Sequence, residues 1–184
     1  MHHHTPTRGT AERPRTSSRA TQNGIRIECE THIKAPREFV WELIQEPTRR
    51  REWDARLTRC DLLTPRPLGK GGRVRTGYGL LGWVEIEYTS WQPADRSAVK
   101  TVAVSRGNAI ASLVASWNFF PREDGSTTWK TQIVIRGAGG RLGPLVERGL
   151  VGPLMVWLTG ISARKLKRLA EAEYAVLARP ASAA

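Results

Sequence analysis

Apolar and polar side chains alternate near the start of the chain. Ile25, Ile27, Cys29, Thr31 and Ile33 fall on one side, and Arg26, Glu28, Glu30, His32 and Lys34 on the other. A period of two predicts a strand with one wet face. Pro36 then opens a helix at a position where its missing N–H costs nothing. Phe39 with Leu43, and Val40 with Ile44, give that helix an apolar face ending before Pro47. A second short helix is predicted over Arg49 to Arg56, including Trp53. Strands follow at about Thr58 to Leu63, Arg73 to Tyr78, Trp83 to Trp91, Ala98 to Ser105, Ala109 to Phe120 and Thr127 to Arg136. Gly71-Gly72, Gly79, Pro93-Ala94-Asp95, Gly107-Asn108 and Asp124-Gly125 separate them with usual turn chemistry. The end is a long helix with Pro153 near its start and Leu154, Leu158, Ile161 and Leu169 on one side.

Short turns between consecutive strands predict an antiparallel meander, and one amphipathic helix must cover its apolar face. The expected fold is therefore α+β, a curved sheet of about seven strands around the C-terminal helix, with two short helices after the first strand. Space between sheet and helix is the first functional clue. Residues 1–24 carry Thr, Ser, Arg and Pro with almost no large apolar side chain, which predicts disorder. The domain is expected over 25–177, with a small-residue tail at 178–184. His2-His3-His4 is not a metal site on that reading.

Composition narrows the classes. The chain has 184 residues, 40% hydrophobic and 25% charged, suiting one domain. Lys+Arg 29 against Asp+Glu 17 gives a net charge of +12. The excess is mostly Arg, as GC-rich coding produces. Its densest run, Arg49-Arg50-Arg51, is followed at once by Glu52 and Asp54. Without a zinc-finger, basic-zipper or aromatic RNA-binding signature, nucleic acid is not the expected partner. Two cysteines exclude a disulfide scaffold. The longest uncharged stretch, Gly149 to Ala163, is broken by Gly152, Pro153 and Gly160 and falls short of the ~20 apolar residues of a membrane span. The opening segment lacks the apolar centre of a secretory signal, so the cytoplasm is the expected compartment. No sequence feature sets the oligomeric state.

Gly77-Tyr78-Gly79-Leu80-Leu81-Gly82 satisfies G-x-G-x-x-G, but a dinucleotide site requires a helix after the glycines. Trp83 to Tyr88 reads as a strand, so the glycines predict a hairpin turn. Gly137-Ala138-Gly139-Gly140 reads as a flexible connector. If the hairpin pivots at Leu80, Arg75 faces Glu85 and Arg73 faces Glu87. The two acids then lie outside in an ion-pair ladder, while Val74, Thr76, Val84 and Ile86 face inward. His32, the one histidine of the domain, points away from the apolar face, which leaves the interior without an imidazole base. Two cysteines and one histidine supply no zinc ligand set. Neither a metal nor a cofactor is expected, and Cys29 and Cys60 read as buried small residues.

The order of elements, with "IKAPREFVWELIQEPTRRREWD" (Ile33 to Asp54), "SWQP" (Ser90 to Pro93) and "WNFFPREDGSTTW" (Trp117 to Trp129), resembles the START-like or SRPBCC superfamily, whose fold is the helix-grip. Within it the chain looks most like the bacterial polyketide cyclase/dehydrase and lipid-transport group. The resemblance spans about Ile25 to Glu173. It implies a bulky apolar, aromatic or polyene ligand held between sheet and C-terminal helix. That ligand would be either cyclised by folding into a reactive conformer, or merely carried or sequestered.

Candidate site residues follow from that frame. Of seven tryptophans, Trp53 and Trp157 sit where the short and long helices approach the opening, suiting them to pocket walls. Leu154, Leu158 and Ile161 line the same helix. Tyr78 and Tyr88 are the candidates to hydrogen-bond a carbonyl or enol oxygen in catalysis, and Asn118 to orient a ligand. Leu142 to Ile161, with Arg164, Lys165, Lys167 and Arg168 beyond it, would suit an anionic membrane surface. The resemblance favours a pocket-covering helix with a solvated basic end.

Overall fold

A computed structural model describes residues 12–22, 24–108, 110–138, 149 and 151–179. The Gly139-Gly140 part of the expected connector, the start of the apolar segment from Leu142 and most of the expected tail lie outside the described residues. Among the described residues, eight strands form one antiparallel sheet: β1 (Arg15–Thr21), β2 (Gly24–Ile33), β3 (Arg59–Leu62), β4 (Arg73–Gly77), β5 (Trp83–Gln92), β6 (Arg96–Val104), β7 (Ile110–Pro121) and β8 (Thr127–Gly137). Their spatial order is β1-β2-β8-β7-β6-β5-β4-β3. Helices α1 (Arg37–Gln45) and α2 (Arg50–Trp53) separate β2 from β3, and α3 (Gly152–Leu177) follows the sheet. This is the α+β helix-grip that the order of elements predicts, with eight strands in place of about seven.

The added strand is β1, inside the segment expected to be disordered. It pairs with β2 from Arg15↔Glu30 to Thr21↔Gly24. The expectation rested on apolar burial, and β1 buries little of its side chains. What holds it is the backbone ladder along an otherwise unpaired edge of β2, which composition does not register.

The β4–β5 hairpin has the expected register, Arg75↔Glu85 and Arg73↔Glu87, and both pairs are ion-paired. The Arg75 guanidinium also covers the Trp83 ring, 4.6 Å from its centroid. The glycines of the G-x-G-x-x-G string make a 3-10 turn at Gly79–Leu81. Gly82 has φ +88°, and a Cβ there would come within 2.1 Å of Ser105 Oγ. Close packing explains that glycine without a phosphate.

The concave face of the sheet collects Ile27, Ile33, Val74, Val84, Ile86, Val99, Trp117, Trp129 and Ile133, all buried. Helix α1 adds Val40, Leu43 and Ile44, with Trp41 edge-on to Trp91 and Phe119. Helix α3 buries Met155, Thr159, Ser162, Ala163, Leu166 and Ala170, a stripe at helical spacing. The expected stripe of leucines is offset from this one. Leu158 and Leu169 are half-buried flanks and Leu154 is exposed. Small side chains occupy the contact line because they let the helix lie close to the strands.

Candidate ligand-binding site

The interior carries charge, and α2 puts it there. Arg50, Trp53 and Asp54 are spaced i, i+3 and i+4, so they share one side of a helical turn. Trp53 is fully buried against Trp129, and it takes its neighbours inward with it. Arg50 is 3% exposed and Asp54 4%. The turn closes where Asp54 N–H donates to the Arg50 carbonyl at 2.9 Å.

Asp54 is held by Arg56. Arg56 Nε donates to Oδ1 and Nη2 to Oδ2, each at 2.7 Å, a two-pronged clamp on one carboxylate. Burial alone would push the Asp54 carboxyl up, but the Arg56 guanidinium, with Arg50 behind it, holds it below the usual carboxylate range. Ser162 on α3 lies 3.2 Å from Asp54 Oδ1 and 2.9 Å from the Leu158 carbonyl, and accepts from Ala55 N–H at 3.0 Å. It ties the long helix to the turn after α2. Ser162→Ala is expected to cost about 1 kcal/mol, measured by urea unfolding.

Arg50 clamps no carboxylate. Its guanidinium stacks on Trp117, 4.9 Å from the ring centroid, and lies 5.9 Å from that of Trp53. Its Nε and Nη2 are buried and without a hydrogen-bond acceptor.

Two tyrosines stand nearby. Tyr88 donates to Gln45 Oε1 at 3.0 Å, and Gln45 Nε2 donates to Ser97 Oγ at 2.7 Å. Tyr78 Oη lies 3.4 Å from the Thr76 hydroxyl. Burial raises both phenols above their ordinary pKa, against the opposing charges of Arg56 at Tyr78 and Arg50 at Tyr88. Both are therefore protonated donors at neutral pH and not bases. Burial raises the Cys29 and Cys60 thiols as well, and neither is in a disulfide.

Several of these groups border a cavity of 30 Å³ between the sheet and the segment of α2 and its following turn that carries Arg50, Asp54 and Arg56. Its apolar wall is Leu57, Ile86, Val99, Leu113, Ala115, Ile133 and the Trp117 ring, and its polar end is Arg50, Asp54, Arg56, Thr76 and Tyr78. Among the described residues no cluster of three His, Cys, Asp or Glu could hold a metal.

The residues singled out from the sequence do not all converge there. Tyr78 lines the cavity. Tyr88 is buried beside Arg50 but directs its proton to Gln45. Trp53 backs Arg50 as part of the core. Asn118 points to the opposite, convex side of the sheet, since its neighbours Trp117 and Phe119 face inward, and it lines a surface groove with Glu28, Glu30 and Lys130. Leu154 and Trp157 are exposed, 42% and 61%. Leu158 and Ile161 are half-buried on α3. Arg50, Asp54 and Arg56 are not among the sequence candidates, and the structure adds them. The spacing from Arg50 to Trp53 was the signal that could have revealed them.

Comparison with known proteins agrees with this architecture. Residues 24–172 match the family described as polyketide cyclase / dehydrase and lipid transport. The chain belongs to this family. As a polyketide cyclase/dehydrase and lipid transport family member, it is similar in structure to a protein from Thermus thermophilus, TTHA0849, with a TM-score of 0.67 and 17% identity over 80% of this chain and 98% of that one. It is also similar to a START superfamily protein from Mycobacterium smegmatis, with a TM-score of 0.59 and 13% identity over 83% of this chain and 98% of that one. At such identities the likeness shows the START-like fold. In sequence, this family member is 26% identical over 143 residues to a Bacillus subtilis protein called the uncharacterized membrane protein YndG, covering 74% of this chain and 53% of the other. The chain thus spans about half the length of that curated relative. Among the described residues, no helix is long and apolar enough to cross a membrane.

Proposed function

We propose that this protein binds a hydrophobic small molecule of polyketide, aromatic or polyene type in the interior between its sheet and its helices. The observation that carries the reading is the interior cavity, with six aliphatic side chains and a tryptophan facing a cluster of oriented polar groups. An apolar chamber with few convergent polar groups is the usual form of a small-molecule site.

The cavity of 30 Å³ has room for a water or two, whereas ligand sites commonly enclose about 300–1,000 Å³. Loading therefore requires the turn after α2 to part from the sheet. Outward movement of the N-terminal half of α3, which is tied to that turn through Ser162, would let it do so. The C-terminal half is tied down by Lys167 to the His32 carbonyl, by Glu171 to Lys34 N–H and by Glu173 to Arg49. Among the described residues, no side chain of 152–161 is hydrogen-bonded or ion-paired to the sheet. The buried Thr159 hydroxyl has no partner at all.

In catalysis the site would act by folding a substrate into a reactive conformer in a dry space. Tyr78 would donate to a carbonyl or enol oxygen. The same groups support a second reading, a carrier or sequestering protein for a lipid, quinone or toxic product. Its support is that, among the described residues of the cavity, Asp54 is clamped by Arg56 and the neighbouring tyrosines are protonated. Turnover of a bound polyketide separates the two.

The binding reading is tested by titration with the neutral fluorophore N-phenyl-1-naphthylamine. Saturable emission at one probe per chain is expected. Ala115→Leu, which fills the cavity, should weaken it at least ~10-fold, the order of a lost methylene-scale pocket contact and more, while unfolding stays cooperative. Emission that is unsaturable, or unchanged by Ala115→Leu, sinks the reading.

A further inference from the structure

The polar end of the cavity contains one filled carboxylate clamp and a second one unfilled. Arg56 grips Asp54 through Nε and Nη2. The same two nitrogens of Arg50 are buried with no acceptor. We infer that the ligand bound here carries a planar oxyanion, a carboxylate or an acidic enol oxygen, and that Arg50 holds it through Nε and Nη2. This rests on the binding reading above and names the chemistry of the molecule's polar end.

Three observations support it. The cavity holds two guanidinium groups and one carboxylate, and guanidinium stays charged in proteins. One positive charge is thus left over in a water-poor interior, and an ionised ligand would neutralise it. Second, the stacking on Trp117 covers a face of the Arg50 guanidinium. Its N–H donors lie in the plane of the group, so stacking leaves the Nε/Nη2 edge open to a two-oxygen acceptor. Third, the nearby carboxylate cannot fill that edge. Both oxygens of Asp54 accept from Arg56, and the neighbouring Tyr88 oxygen, protonated and neutral, supplies no charge to balance Arg50. Tyr78 on the same cavity is a neutral donor suited to one of the anion's oxygens.

The test compares 2-naphthoate with its neutral near-isostere 2-naphthamide by calorimetry, beside the N-phenyl-1-naphthylamine titration. The wild type is expected to bind naphthoate at least ~10-fold more tightly than naphthamide, the scale of a charge-assisted pair of hydrogen bonds. Arg50→Met should reduce naphthoate affinity ~10–100-fold and leave naphthamide and N-phenyl-1-naphthylamine within about threefold. Arg51→Gln, an exposed neighbour, should change none of them, which separates Arg50 from the general positive charge of the protein. A wild type that binds N-phenyl-1-naphthylamine without preferring naphthoate overturns this inference alone. So does a preference that Arg51→Gln reduces as much as Arg50→Met. A wild type that binds none of the three overturns the cavity reading beneath it.

Discussion

Asp54→Ala is expected to lower stability by about 3–5 kcal/mol, the cost of breaking a buried ion pair by removing one partner. Asp54 and Arg56 are nearly closed off from solvent, at 6% and 9% side-chain exposure. The carboxylate is therefore the counter-charge for an interior that also holds Arg50. Removing it leaves two guanidinium groups buried without an acid, and it loosens the Ser162 contact that ties α3 to α2. Urea unfolding followed by tryptophan fluorescence measures the change. A loss under about 1 kcal/mol would mean that water reaches Arg56 freely and that the pair behaves like a surface one.

Asp54 also sets the direction of the acid response. Its pKa is lower in the folded protein than in the unfolded chain. Its contribution is fully present above the unfolded value, about 4, and is lost as pH falls through the lower folded value. Glu46 shifts the same way, down to about 2, held first by its hydrogen bonds from Arg66. Wild-type stability should therefore fall in acid below about pH 4, and the Asp54→Ala curve should be flatter there. A parallel pair of curves would show that Asp54 is not depressed.

Much of the fold is legible because its determinants are local. Alternation places β2 and the meander strands within a few residues of their positions. The opposite charges at Arg73, Arg75, Glu85 and Glu87 fix the register of the β4–β5 hairpin. What escapes is whatever depends on partners distant in the chain. β1 has no apolar pattern and exists because β2 offers it a ladder. The buried stripe of α3 runs through Thr159, Ser162 and Ala163, where closeness to the sheet matters more than side-chain hydrophobicity. That is why Leu154 and Trp157 read as pocket residues and are exposed. Asn118 needed a strand register that only the β7–β8 pairing supplies. Three consecutive arginines look like a solvated run, and two of them, Arg49 and Arg51, are at or near the surface. The middle one is carried inside by the helical turn that buries Trp53. A local rule, that charge stays outside, fails at the place with the best claim to be functional.

That failure has a thermodynamic signature. Arg50→Met is expected to raise the stability of the ligand-free protein by about 1–3 kcal/mol, as replacement of buried charge by apolar side chains of similar volume commonly does. The cation–π contact with Trp117 offsets part of the burial cost, and a methionine keeps some of it through a sulfur–aromatic contact. Nothing replaces the missing acceptors at Nε and Nη2. The two substitutions should also couple. With Arg50 gone, Asp54→Ala strands one buried cation instead of two, so the double variant should lose less than the sum of the singles. Arg50→Met that is neutral or stabilising, yet loses naphthoate, would mark a residue kept for its ligand at the expense of the fold. Arg50→Met that costs more than about 1 kcal/mol would mark Arg50 as a structural member of the core, with the Trp117 stack outweighing the burial of its charge.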